Sequence, residues 1–265
     1  MDLGLRHKVV FITGGSKGIG RACALEFARE EARVAICARR EDELRRAAEA
    51  IRQATGADVF PVAGDMTRWE DVQRCVDAAA AHFGGLDILV NCAGASPGGL
   101  ILNLAEEDWT LSLQLKFMGY VRCAKAVIPY LLRRGRGRIV NVVGNDGIKP
   151  AYWELTASAA NAADLAMTSA LAEQYGPQGI LVNAVNPGPV STERWDGLVR
   201  AYARDKGLSV DEAGAKVLRS LPLGRICTPE EVASVVVFIA SDRASYMNGA
   251  WITLDGGQRK AIMDI

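Results

Sequence analysis

The residues with the clearest chemical purpose stand near the start of the chain, in Thr13-Gly14-Gly15-Ser16-Lys17-Gly18-Ile19-Gly20. An apolar run, Val9–Thr13, leads into this stretch, and a helical pattern leads out of it. Glycines let such a turn tighten and let backbone N–H groups approach anionic oxygens, while the helix N-terminus adds a favourable dipole. Gly14, Ser16, Lys17, Gly18, Ile19 and Gly20 are therefore candidate ligands of a dinucleotide pyrophosphate. The next apolar run ends in Ile36-Cys37-Ala38-Arg39-Arg40. An NAD-selective site ordinarily places a carboxylate there, on the ribose 2′-hydroxyl. Arg39 and Arg40, with Lys17 in reach, suit the dianionic 2′-phosphate of NADP instead. The plain alternatives are an ordinary βα turn and two arginines that solvate the start of a helix.

The elements that must position these groups alternate along the chain. Strands are predicted at Val9–Thr13, Val34–Cys37, Val59–Val62, Leu86–Val90, Arg138–Val143, Ile180–Val185 and Ala250–Leu254. Helical patterns lie between them, at Gly18–Glu31, Glu41–Thr55, Thr67–Phe83, Glu106–Arg133, Ala157–Tyr175 and Pro229–Ala240. Strands apolar on both faces and separated by helices predict one α/β domain over 1–265, a doubly wound parallel sheet of Rossmann type with helices on both faces. The segment 191–223 is an insertion with a helical pattern, of the kind that often covers a pocket. Trp195, Leu198, Val199 and Tyr202 recur in it at helical spacing. They form either an apolar wall over a substrate or the packing face of an amphipathic helix.

Composition narrows the partners. Apolar residues are 49% and charged residues 23% of the chain, and the formal net charge is zero. With no basic block, neither nucleic acid nor an anionic membrane is an expected partner. No apolar run approaches the length of a bilayer span, and no secretion signal opens the chain, so a cytoplasmic protein is expected. Six cysteines without a CxxC pair then read as free thiols. Two histidines, His7 and His82, give no basis for a metal site, and none is expected.

Several motifs in order resemble the short-chain dehydrogenase/reductase family almost end to end. Thr13-Gly14-x-x-x-Gly18-x-Gly20 matches its glycine motif, and Asp65-Met66 is similar to the pair that contacts adenine. Asn91-Cys92-Ala93-Gly94 resembles its Asn-Asn-Ala-Gly motif, which adds Asn91, Ala93 and Gly94 to the cofactor site. The stretch Val182–Thr192 resembles the segment that closes over the nicotinamide, which implies roles for Pro187, Gly188, Val190 and Thr192. Leu221-Pro222-Leu223-Gly224-Arg225 and Asp255-Gly256-Gly257 match the C-terminal third. The resemblance implies NADP(H), a small-molecule substrate and a homo-oligomer, a tetramer or a dimer, formed through the two long helices.

The active site departs from that pattern. Family members usually carry an Asn–Ser–Tyr–Lys tetrad, and the matching positions here hold Lys116, Gly144, Ala157 and Asn161. No catalytic role carries over. One well-placed general acid contributes roughly 10²–10⁴-fold in rate, so ordinary ketone reduction needs a replacement. Lys116 is the leading candidate, as an acid, an electrostatic stabiliser or an imine-forming amine; the alternative is a charge that structurally replaces the missing lysine. Asn161 and Tyr152 are further candidates, with Asn145, Asp146 and Ser158 on the same segments. Three readings follow: an NADP(H)-dependent oxidoreductase with rearranged acid and base groups; one whose substrate, a conjugated enone or iminium, needs little proton help; and a non-redox lyase, isomerase or nucleotide-binding pseudoenzyme. The nicotinamide-end residues Pro187, Gly188 and Thr192 favour the redox readings.

Overall fold

The computed structural model describes residues 1–258; the end of the expected domain, residues 259–265, lies outside the described residues. Seven strands form one parallel sheet in the order β3-β2-β1-β4-β5-β6-β7. They are β1 (Val9–Thr13), β2 (Arg33–Ala38), β3 (Val59–Ala63), β4 (Ile88–Asn91), β5 (Gly137–Val142), β6 (Ile180–Pro187) and β7 (Trp251–Leu254). Strand alternation divides the core into two layers. Val10 and Ile12 of β1 pack with α1 (Gly18–Arg29), α2 (Glu41–Thr55) and α9 (Pro229–Ala240). Val9 and Phe11 face the opposite way, onto α3 (Trp69–Phe83), α5 (Met118–Arg134) and α6 (Leu155–Tyr175). The sheet is thus covered on both faces, as continuous apolar strands require. Its order reverses between β1 and β4, and the crevice beyond the strand ends opens there.

Two departures from the predicted elements bear on the site. The expected helix Glu106–Arg133 is not one helix. It runs as α4 (Glu106–Ser112), a π-helical turn at Leu113–Phe117, and then α5. The wider turn carries Leu115 and Lys116 inward together, and both are buried. The insertion is two helices, α7 (Glu193–Lys206) and α8 (Val210–Ser220). Both start at side-chain caps: Thr192 Oγ1 accepts from the Trp195 N–H, and Ser209 forms a capping box with Glu212. Trp153, from the β5–α6 loop, is fully buried in the core of this insertion. Its indole N–H donates to Asp205 Oδ2 at 2.9 Å, and its ring stands edge-on to Tyr202. Among the described residues no helix is long and apolar enough to cross a membrane.

Candidate active site

The start of α1 and the ends of β4, β5 and β6 surround a cavity of about 140 Å³, and α7 forms one of its walls. Ile19 from the glycine turn lines it. The turn must lie close to its own helix: a Cβ on Gly20 would overlap the Gly14 carbonyl. No side chain caps α1, so its leading N–H groups are left for an anion. Thr13 Oγ1 accepts from the Cys92 and Ala93 N–H groups at 3.0 and 3.1 Å, which ties the turn to the end of β4.

Of the expected cofactor residues, Ile19, Gly94, Pro187, Gly188, Val190 and Thr192 line the cavity. Arg39 and Arg40 stand exposed beyond β2. Arg40 pairs with Glu43 at 2.8 Å; Lys17 pairs with Glu193 at 2.9 Å and lies 3.6 Å from Glu43. Glu193 thereby ties the start of α7 to the glycine turn. Two residues sit differently from expectation. The Asn91 side chain is buried inside the sheet and donates to Asn141 Oδ1 at 2.9 Å, so it joins β4 to β5 rather than facing the crevice. The Met66 thioether is in the core against Cys123 rather than at the surface of the β3 end. Asp65 accepts from the Thr67 N–H and hydroxyl, both at 2.9 Å, and holds the turn after β3.

The expected catalytic residues divide. Lys116 and Asn161 meet at the cavity; Tyr152 does not. The loop before α6 turns Trp153 into the insertion core, so its neighbour Tyr152 points outward, 43% exposed, under the Lys206 ammonium at 4.8 Å. Ser158 is also spent elsewhere, its hydroxyl accepting from the Ala151 N–H. Of the apolar quartet on α7, Trp195 and Leu198 line the cavity, whereas Val199 and Tyr202 pack into the insertion core. Trp195 and Leu198 also pack against that core.

The Lys116 ammonium is buried and donates to the Val143 carbonyl. Burial pushes its pKa down to about 8, against the pull of the Asp164 carboxylate. Burial in turn pushes Asp164 up to about 8, with Lys116 opposing. Asp164 lies three residues beyond Asn161 on α6, and both its oxygens lack a hydrogen-bond partner. Sequence reasoning missed it, yet it is the one ionisable residue between Leu155 and Ala172. Asp146, Glu154 and Arg194 also line the cavity. Burial raises the Asp146 pKa, and Arg194 and then Lys116 oppose that rise. Cys92 lines the wall as a thiol: burial pushes it up to about 12, out of range for a nucleophile at neutral pH. The side-chain amide oxygens of Asn161 and Asn145, both buried residues on the cavity wall, accept nothing from the protein.

The chain matches the family model described as enoyl-(acyl carrier protein) reductase over residues 14–259. It is 34% identical over 258 residues to the short-chain reductase protein NovJ of Streptomyces niveus, covering 96% of this chain and 94% of that protein. It is 34% identical over 256 residues to the 3-oxoacyl-[acyl-carrier-protein] reductase FabG of Thermotoga maritima, with 96% and 98% covered. Among solved structures, L-sorbose reductase from Gluconobacter frateurii, complexed with NADPH and L-sorbose, superposes with a TM-score of 0.90 at 34% identity, over 97% of this chain and 98% of that one.

Proposed function

The chain belongs to the short-chain dehydrogenase/reductase family, and from that premise we propose that it is an NADP(H)-dependent oxidoreductase with non-standard catalytic residues. Its substrate is a small, partly apolar carbonyl, enone or imine. The observation that carries this reading is the cavity itself. Ile19 beside the glycine turn, the nicotinamide-end residues Pro187, Gly188 and Thr192, and Lys116 and Asn161 all line it. The uncapped start of α1 suits a pyrophosphate, and Arg39 and Arg40 suit a 2′-phosphate. The unpartnered Asn161 side-chain oxygen, on the same cavity wall as Lys116, suits a ligand hydroxyl. When bound, the dinucleotide supplies or accepts hydride. The protein's own part is to orient, to exclude water and to handle charge. Trp195 and Leu198 present apolar surface to the substrate. Lys116 supplies positive charge where a reacting oxygen becomes negative.

Calorimetric titration with NADPH and, in parallel, NADH tests the cofactor assignment. Micromolar or tighter binding of NADPH is expected, with NADH much weaker. Arg39→Ala is expected to weaken NADPH by roughly 10–100-fold, the worth of one charge-assisted contact, and to leave NADH nearly unchanged. Binding of neither nucleotide would sink the oxidoreductase reading in favour of a non-redox role.

A further inference from the structure

Lys17 and Arg40 stand at the N-terminal boundaries of two different helices, α1 and α2, yet one carboxylate holds both. Glu43, in the first turn of α2, presents one oxygen to the Lys17 ammonium at 3.6 Å and the other to the Arg40 guanidinium at 2.8 Å. Two cations that converge on one small anion are placed to share another, and a phosphate brings more charge and more acceptor oxygens than a carboxylate. Lys17 carries a second carboxylate as well: its ammonium donates to Glu193 Oε2 at 2.9 Å. The two acids are held differently. The Glu43 side chain is 21% exposed and anchored by both cations, whereas that of Glu193 is 80% exposed and has no other ion pair among the described residues. So exposed a pair is weak, and Glu193 is the partner that a competing anion displaces first. Its release reaches the cavity. Glu193 is the first residue of α7, between Thr192 and Arg194, and both of these line the cavity with Trp195 and Leu198. The Thr192 methyl also lies against the glycine turn, where a Cβ on Gly18 would be 3.2 Å from it. The start of α7 therefore rests on that turn through one apolar contact and one ion pair, and only the ion pair responds to an arriving anion.

We propose that Glu193 is a cofactor-selectivity residue: its carboxylate occupies Lys17 until the 2′-phosphate of NADP(H) displaces it, and the displacement frees the first turn of α7. The assignment rests on the reading of Lys17 and Arg40 as 2′-phosphate ligands. No covalent bond changes; Lys17 exchanges a carboxylate for a phosphate, and Glu193 turns into solvent. The bound phosphate then repels the Glu193 carboxylate, which keeps the clasp open. NAD(H) offers only a neutral hydroxyl at the same place and leaves the clasp closed. The cavity wall formed by α7 thereby responds to which dinucleotide is bound.

Glu193→Gln tests this at an exposed position where the amide keeps the shape and loses the charge. In calorimetric titration, NADPH and adenosine 2′,5′-bisphosphate are each expected to bind E193Q about 2–10-fold more tightly than wild type, with NADH nearly unchanged. The gain is expected to shrink at high salt, and to vanish in a Lys17→Met background because it runs through the ammonium. Trp195 emission, taken as the difference from Trp195→Phe, reads the release of α7 without turnover. Adenosine 2′,5′-bisphosphate is expected to shift it in the wild type and adenosine 5′-phosphate to leave it unchanged. E193Q is expected to show the shifted emission before any ligand is added. NADPH affinity in E193Q equal to or below that of wild type overturns the proposal and leaves the cofactor assignment standing. So does a gain that persists without Lys17. If neither NADPH nor the bisphosphate binds the wild type, the cofactor assignment and the clasp fall together.

Discussion

Lys116→Met is expected to lower kcat/KM for carbonyl reduction by about 10²–10³-fold, the usual cost of removing one group aimed at developing negative charge. NADPH affinity is expected to stay within a few-fold of wild type, because the phosphate-binding residues are untouched. Methionine nearly preserves the length of the side chain and its packing beside Gly94, where a Cβ would lie 3.6 Å from the Lys116 Cδ. What it removes is the charge and the donor to Val143. The pH profile separates charge from packing. Burial has brought the Lys116 pKa down to about 8, so the ammonium is present below that pH and is lost as pH rises through it. Wild-type turnover is therefore expected to have an alkaline limb near pH 8, and Lys116→Met to lack it. The limb belongs to Lys116 and Asp164 together, since each shifts the other. Asp164→Asn removes the carboxylate that holds the lysine pKa up, and so is expected to move the limb to lower pH. A limb that stays in place in both variants would remove Lys116 from the chemistry.

What the sequence revealed of this architecture follows from how local each signal is. Helix α2 and helix α9 begin and end where the residue pattern puts them. The start of α9 is written in Thr228-Pro229-Glu230-Glu231, a capping box with proline at the first turn. The glycine turn is equally local, since strand, glycines and helix follow one another directly. The π turn at Leu113–Phe117 is not local in this sense. A helical period runs through it without a break, and the burial of both Leu115 and Lys116 is decided by packing. The site's charges are less local still. Lys116 and Asp164 come from different helical elements, and Asp146 and Glu154 reach one cavity from the two ends of a loop that no periodicity describes. Tyr152 and Trp153 show the limit most sharply. Adjacent aromatic residues in an irregular loop carry no sign of which turns inward, and the insertion core selected Trp153.

Gly144 and Asn161, at the positions where the resemblance expects the family's serine and lysine, lie against each other, and this leads to the last expected result. Gly144, at the serine position, has φ 145° and ψ 148°. That region is essentially closed to residues with a Cβ, and forcing one into it costs on the order of 1–3 kcal/mol. A Cβ there would also lie 2.6 Å from the Nδ2 of Asn161, the residue at the lysine position. Restoring the family residue alone, Gly144→Ser, is thus expected to destabilise the protein by about 2–4 kcal/mol, the backbone strain plus the overlap. For a domain of this size the melting temperature should drop by very roughly 5–15 °C. Asn161→Ala removes the overlap and leaves the strain. The double variant should therefore recover part of the loss but not all of it, giving a coupling energy that independent sites would not show. Additive effects in thermal unfolding would mean that the loop can move away from Asn161 at no cost. A coupled pair would mean that the two departures from the tetrad are one structural change: a lysine replaced by a shorter amide, and a loop that settled against it in a conformation only glycine accepts. On that account reinstating single tetrad residues would not return the cavity to the ordinary mechanism.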